Sequence, residues 1–200
     1  MKKMMIGRKT MLVGAGIAAA ASLGISATLG YHHHGGERGS TTSAAWKDTY
    51  QTVGDLVRDV DVIAVADAVR STSGRMAYSD GGEDSLPFEV VEFDVSEAVK
   101  GTTDGGRLEV ERVGGLDAEG VSVYFDSDGG AFEPGGRYLL FLKKQEEGGY
   151  YYQVNDQGRY RVVVGRLRTA LDPAAVIAQA FHGRPLEEGL ALIRRELKAE

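Results

Sequence analysis

"FEPGGRYLLFLKK", residues 132–144, decides the fold. Pro134, Gly135 and Gly136 signal a turn, and five large apolar side chains, Tyr138 to Leu142, follow without a polar residue among them. Side chains alternate along a strand, so Leu139 and Phe141 must face one way and Tyr138, Leu140 and Leu142 the other. Leaving either set in water would forfeit roughly 1.5–3 kcal/mol for each large side chain. The stretch therefore reads as a central strand covered on both faces. A roof is available downstream. Asp172 can cap a helix with Pro173 in its first position and Val176, Ile177, Ala180 and Phe181 as its apolar stripe, ended by Gly183. Pro185 opens a second helix with Leu186, Leu190, Ile193 and Leu197 along one side.

Working outward, Thr52 caps a short helix, with Asp55 three residues on. "VDVIAVADAVRS" is apolar on both parities, with Val60, Val62, Ala64, Ala66 and Ala68 on one face and Ile63, Val65 and Val69 on the other. After a polar excursion over 71–86, "PFEVVEFDVSEAVKG" puts Val91, Phe93 and Val95 inward and Glu92, Asp94 and Ser96 toward water. Phe88 and Val90 take the opposite parity, which a β-bulge in this strand would accommodate. "GRLEVERVGG", "VSVYFDS", "GYYYQVN" and "RYRVVVG" add short strands, and Leu167 to Thr169 a last one. About seven short strands without intervening helices indicate antiparallel pairing in a barrel or sandwich.

Composition narrows the function classes. Of 200 residues, 42% are hydrophobic and 26% charged, as in a globular domain, and the 28 glycines suit many tight turns. The net charge is −6; without Lys2, Lys3, Arg8 and Lys9 the remainder holds 19 basic against 29 acidic groups. Such a surface repels phosphate backbones and does not lie flat on an anionic membrane. The absence of cysteine excludes disulfides, a thiol nucleophile and cysteine-based zinc sites.

Residues 1–30 open with basic side chains and carry no charge from Thr10 to Tyr31, the layout of an export segment. The run approaches the roughly 20 residues that span a bilayer, so an uncleaved single-pass anchor is preferred to a cleaved signal peptide. Either arrangement puts the remainder outside the cytoplasmic membrane. Gly14, Gly16 and Ala19 match a dinucleotide fingerprint, but no second strand leads to Glu37, and the reading is rejected. Residues 31–45 read as a flexible linker. His32, His33 and His34 with Glu37 could hold a transition metal, and a solvated spacer is the preferred reading.

The order "DVDVIAVADAV", "FEVVEFDVSEAVKG", "PGGRYLLFL" and a tyrosine-rich hairpin ending "GRYRVV" resembles exported bacterial proteins related to the netrin module and the tissue inhibitors of metalloproteinases. The resemblance covers roughly residues 52–169 and implies an OB-like, closed or partly open antiparallel β-barrel. The expected organisation is a mainly β domain over 46–170, C-terminal helices over 171–200 packed on it, and a hydrophobic helix ahead of it. Those inhibitors chelate zinc through an N-terminal cysteine, which this chain lacks, so their mechanism does not carry over.

Catalytic candidates are few. No phosphate loop, paired-histidine metalloprotease helix or serine elbow is present. His182 reads as a helix-end residue, "DSDGGAFE" (Asp126, Asp128, Glu133) as a solvated turn, and Glu83 with Asp84, or Glu109 with Glu111, as acidic surface. Tyr150, Tyr152 and Tyr160 are the candidate ligand contacts, because stacking on a barrel face holds sugars or single strands, and plain cross-strand packing is the preferred reading of them. The expectation is a non-catalytic binding module for a protein or glycan, without cofactor, catalytic residue, metal or nucleic acid. The alternative is a hydrolase using loop carboxylates.

Overall fold

The computed structural model describes residues 25–27, 40–41, 44–46, 50–78, 85–101, 103–117, 119–124, 131–145, 149–154, 156–170, 172 and 175–199. Their order is β1 (Ile25–Ala27), β2 (Ser40–Thr41), β3 (Ala44–Trp46), α1 (Val53–Asp59), β4 (Val62–Tyr78), β5 (Ser85–Lys100), β6 (Arg107–Val113), β7 (Gly115–Leu116), β8 (Ser122–Tyr124), β9 (Arg137–Lys144), β10 (Tyr151–Gln153), β11 (Arg159–Val163), β12 (Arg166–Arg168), α2 (Val176–Phe181) and α3 (Leu186–Lys198). The chain is mainly β with C-terminal helices.

The turn before β9 forms for local reasons. Gly136 donates its N–H to the Glu133 carbonyl at 2.8 Å, and Gly135 has φ 74, the positive value required after proline in a type II turn. A Cβ on Gly136 would lie 2.8 Å from the Glu133 carbonyl oxygen and 2.9 Å from the Tyr138 ring, so no side chain fits there. β9 then divides as alternation demands. Leu139 and Phe141 join Ile177, Phe181, Leu190 and Ile193 of the helices. Tyr138, Leu140 and Leu142 join Val91, Phe93, Leu108 and Val110 of the strands. All five β9 side chains are 0% exposed.

A seven-stranded sheet runs β10-β6-β5-β4-β9-β11-β12, and β10 also pairs with β9. β4, β5, β6, β10 and β9 thus close a ring. Its contacts are antiparallel except β6–β10, which is parallel, a departure from the all-antiparallel expectation. Because the cluster around Leu140 is built from strands and Phe132 alone, it fills the ring, and the helices cover the outer face. The edge of β12 is closed by the α2–α3 connection, with Leu167 N–H to the Arg184 carbonyl at 2.9 Å and Gly183 N–H to the Leu167 carbonyl at 2.8 Å.

Several local expectations are corrected. Val60 lies with Ile63 and Val65 on the helix side, because it ends α1 before the chain bends into β4. Val69 is 44% exposed, pushed out where the β4–β5 register shifts between Ala68 and Arg70. β5 keeps an unbroken register with β6 from Phe88 to Asp94, so the expected bulge around Phe88 belongs to β4 instead. α2 starts after Ala175, whose N–H donates to the Asp172 backbone carbonyl at 2.9 Å, and the expected first helical position, Pro173, lies outside the described residues. Thr52 does cap α1, accepting from the Asp55 N–H at 3.0 Å.

Near the N-terminus, β1 pairs with β3 and β2 runs parallel to β8. The rest of the expected hydrophobic helix and linker lies outside the described residues. Among the described residues, no helix is long and apolar enough to cross a membrane.

Candidate functional site

The helices pack on the ring's outer face around Leu139 and Phe141. β9 turns Phe141 outward beneath them, so Lys143, two residues on, shares that face. Tyr152 lies opposite Lys143 on one side and Glu111 on the other, and Glu111 lies opposite Val90. Gln145 donates its N–H to the Tyr150 carbonyl at 2.9 Å, placing Tyr150 beside it. One continuous face therefore carries Val90, Glu111, Lys143, Gln145, Tyr150 and Tyr152, with Lys143 joined at its margin to Asp59 of α1 at 2.7 Å.

The centre of this face is a fixed arginine. Glu111, with 4% of its side chain exposed, accepts from Arg75 Nε at 3.0 Å and from the Arg75 terminal nitrogen at 3.2 Å. Gln145 Nε2 donates to the same carboxylate at 2.7 Å. A buried carboxylate is tolerated only when its lone pairs are met in this way. The Arg75 guanidinium also lies 3.8 Å from the centre of the Phe88 ring. Held by a fork of hydrogen bonds and an aromatic floor, it stays 39% exposed as a planar donor. Sequence reading passed over it. Arg75 stands 36 positions from Glu111 in a stretch without apolar pattern, and the one available sign was Glu111 itself, alternating with buried Val110.

The tyrosines separate. Tyr150 and Tyr152 are half-buried on the open face. Tyr151 turns toward the ring interior, packed against the Leu140 cluster. Tyr160, the third sequence candidate, is 0% exposed, lies opposite Leu139, and packs on Phe181 and Phe141 at 4.8 and 6.1 Å between centroids. Its position in β11 puts it under α2, in the core shared with the helices.

Glu89 and Arg112 form an inward ion pair at 3.5 Å, Ser71 donates to Glu89 at 2.6 Å, and Arg159 lies 3.8 Å over Phe132. Both members of that pair are under a tenth exposed, so they offer no surface to a ligand. His182 ends α2, its Nδ1 accepting from the Thr169 N–H at 3.5 Å. Burial alone would raise the Asp59 carboxyl; hydrogen bonds from Lys143 and Tyr50, with the charges of Lys143 and Lys100, hold it below its ordinary value. The hydrogen bond from Arg70 likewise holds Glu92 low. Neither is the raised carboxyl that acid catalysis uses. Glu83, Asp84, Asp126 and Asp128 lie outside the described residues, and Glu133 pairs with Arg161. Among the described residues, no group of three or more His, Asp or Glu could hold a metal ion.

Compared with family models, curated proteins and solved structures, the chain matches none.

Proposed function

We propose that the chain is a non-catalytic binding module held outside the cytoplasmic membrane, built on an OB-like barrel of the netrin-module type, with a glycan as its ligand. The strand order supports the barrel reading. Taken as the first to fifth strands, β4, β5, β6, β9 and β10 close a ring in the order first, second, third, fifth, fourth, and the open face runs from Val90 and Glu111 on the second and third to Tyr152 and Lys143 on the fifth and fourth. OB folds bind oligosaccharides and oligonucleotides on the face of the second and third strands, between the loops joining strands one to two and four to five. Here Arg75 and Phe88 stand toward the first loop, and Gln145 and Tyr150 flank the second.

The observation that carries the reading is the clamped, half-exposed Arg75 beside Tyr150 and Tyr152. Aromatic faces next to immobile planar donors and acceptors suit a sugar ring, which stacks through its C–H face and hydrogen-bonds at its edge. The acidic balance disfavours a nucleic acid on the same surface. The export segment supports an extracytoplasmic address. A glycan array probed with the full chain tests the reading, with Tyr150→Ala and Tyr152→Ala expected to weaken the signal and Tyr78→Ala to spare it. Binding that survives both substitutions would place the ligand elsewhere.

A further inference from the structure

The hairpin of β11 and β12 has a two-residue turn, since Arg161 pairs with Arg168, Val162 with Leu167 and Val163 with Arg166. Val164 and Gly165 fill it with φ values of 49 and 71. Two positive φ angles define the type I′ turn, which Asn or Gly enters without strain. Val164 is β-branched, and among the described residues it is the sole non-glycine with positive φ. Its side chain is 96% exposed, and that of Val163 is 40% exposed. The fold holds this valine in an unfavourable conformation and gains no burial from it. An outlier of that kind points to a role outside the fold.

The hairpin itself carries only basic charge, while the first turn of α3, whose Leu186 N–H donates to the Gly165 carbonyl at 2.9 Å, carries Glu187 and Glu188. The pairing puts Arg161, Val163, Arg166 and Arg168 on one face of the hairpin, while Tyr160 and Leu167 are buried on the other. Arg161 pairs with Glu133. Among the described residues Arg166 and Arg168 make no ion pair; they meet the Gly183 carbonyl at 2.8 Å and the His182 ring at 3.4 Å. A chain of net charge −6 thus presents two adjacent valines beside two guanidinia that make no ion pair among the described residues.

We propose that this tip contacts a lipid bilayer with anionic headgroups, Val163 and Val164 entering the headgroup–acyl boundary while Arg166 and Arg168 hold phosphates. Shallow apolar insertion flanked by cations is the way a protein lies at such an interface. The acidic bulk excludes a broad contact but not a narrow one, because charges beyond about 8 Å are largely screened at physiological salt. The contact is small, so it depends on the effective concentration that an N-terminal tether supplies. It therefore rests on the extracytoplasmic, membrane-anchored reading of the chain.

The chain has no cysteine, so Val163→Cys can carry a single environment-sensitive fluorophore. The full chain is reconstituted in phosphatidylcholine vesicles with and without phosphatidylglycerol, and quenching by lipid-borne quenchers is recorded. Quenching is expected in the anionic vesicles, reduced by high salt and lost in the Arg166→Glu/Arg168→Glu variant. Val164→Asn should weaken the quenching yet raise Tm, because asparagine relieves the turn; a lowered Tm would overturn the strain argument. A chain that washes off the vesicles at alkaline pH refutes the tether and the proposal with it. A retained chain whose tip is unquenched in both lipids refutes the tip contact alone and leaves an acidic protein surface as its occupant. Equal quenching in both lipids, or quenching unchanged by the charge reversal, refutes the role of the arginines.

Discussion

Phe181→Ala tests whether the terminal helices are a structural layer. Phe181 is 0% exposed and touches Tyr160 and Phe141 at centroid distances of 4.8 and 5.7 Å. Deleting such a ring costs about 3–5 kcal/mol through lost burial and the cavity left behind. The tilted aromatic contacts add roughly 0.5–1.5 kcal/mol beyond that area. Against a total stability of about 5–15 kcal/mol, this is a large share. In a chain of this size it corresponds to a fall in Tm of roughly 6–20 °C, at about 2–4 °C per kcal/mol. Urea unfolding followed by far-UV circular dichroism measures it, with the native spectrum of the variant checked first. A loss below about 1 kcal/mol would refute the reasoning, because no fully buried Phe ring at the seam of two layers is that cheap to remove.

The remaining predictions concern the roof, the clamp and one carboxylate. Truncation after Thr169 should bare Leu139, Phe141 and Ile63 and make the ring aggregate; a soluble, equally stable monomer by sedimentation would contradict the two-layer account. Arg75→Ala should destabilise more than Glu111→Ala, by about 1–3 kcal/mol, since it strands a buried carboxylate whereas a freed Arg75 can swing into water. The opposite order in urea unfolding would contradict the clamp. For Asp59 the sign follows from its lowered carboxyl: the added stability is present above its ordinary value of 3.8 and is lost as pH falls through the lower folded value. The stability difference between the wild type and Asp59→Asn should therefore shrink in strong acid, and a difference that grew there would reverse the assignment.

What the sequence disclosed follows from which interactions are local. The alternation of Tyr138 to Leu142, the Thr52 cap and the stripe of Ile177 and Phe181 each rest on residues a few positions apart, and each was legible. Pairing across the chain was not. The parallel β6–β10 contact, the outward push of Val69 and the burial of Tyr160 depend on register between distant strands. Tyr150 and Tyr152 were legible as a pair by parity, but nothing in the chain showed that Glu111, Lys143 and Gln145 share their face. The Arg75–Glu111 clamp was hidden for the same reason, because its partners belong to different strands and neither lies in a recognisable motif.

The central claim, that the open outer face binds a glycan, is tested most directly by amide and side-chain NMR of the full chain titrated with an array-positive oligosaccharide. Saturable shifts should map to Arg75, Gln145, Tyr150 and Tyr152, while Tyr160 and Phe181 beneath the helices stay fixed. Shifts centred on the helices or on the β11–β12 hairpin, with the Arg75 face silent, would contradict it.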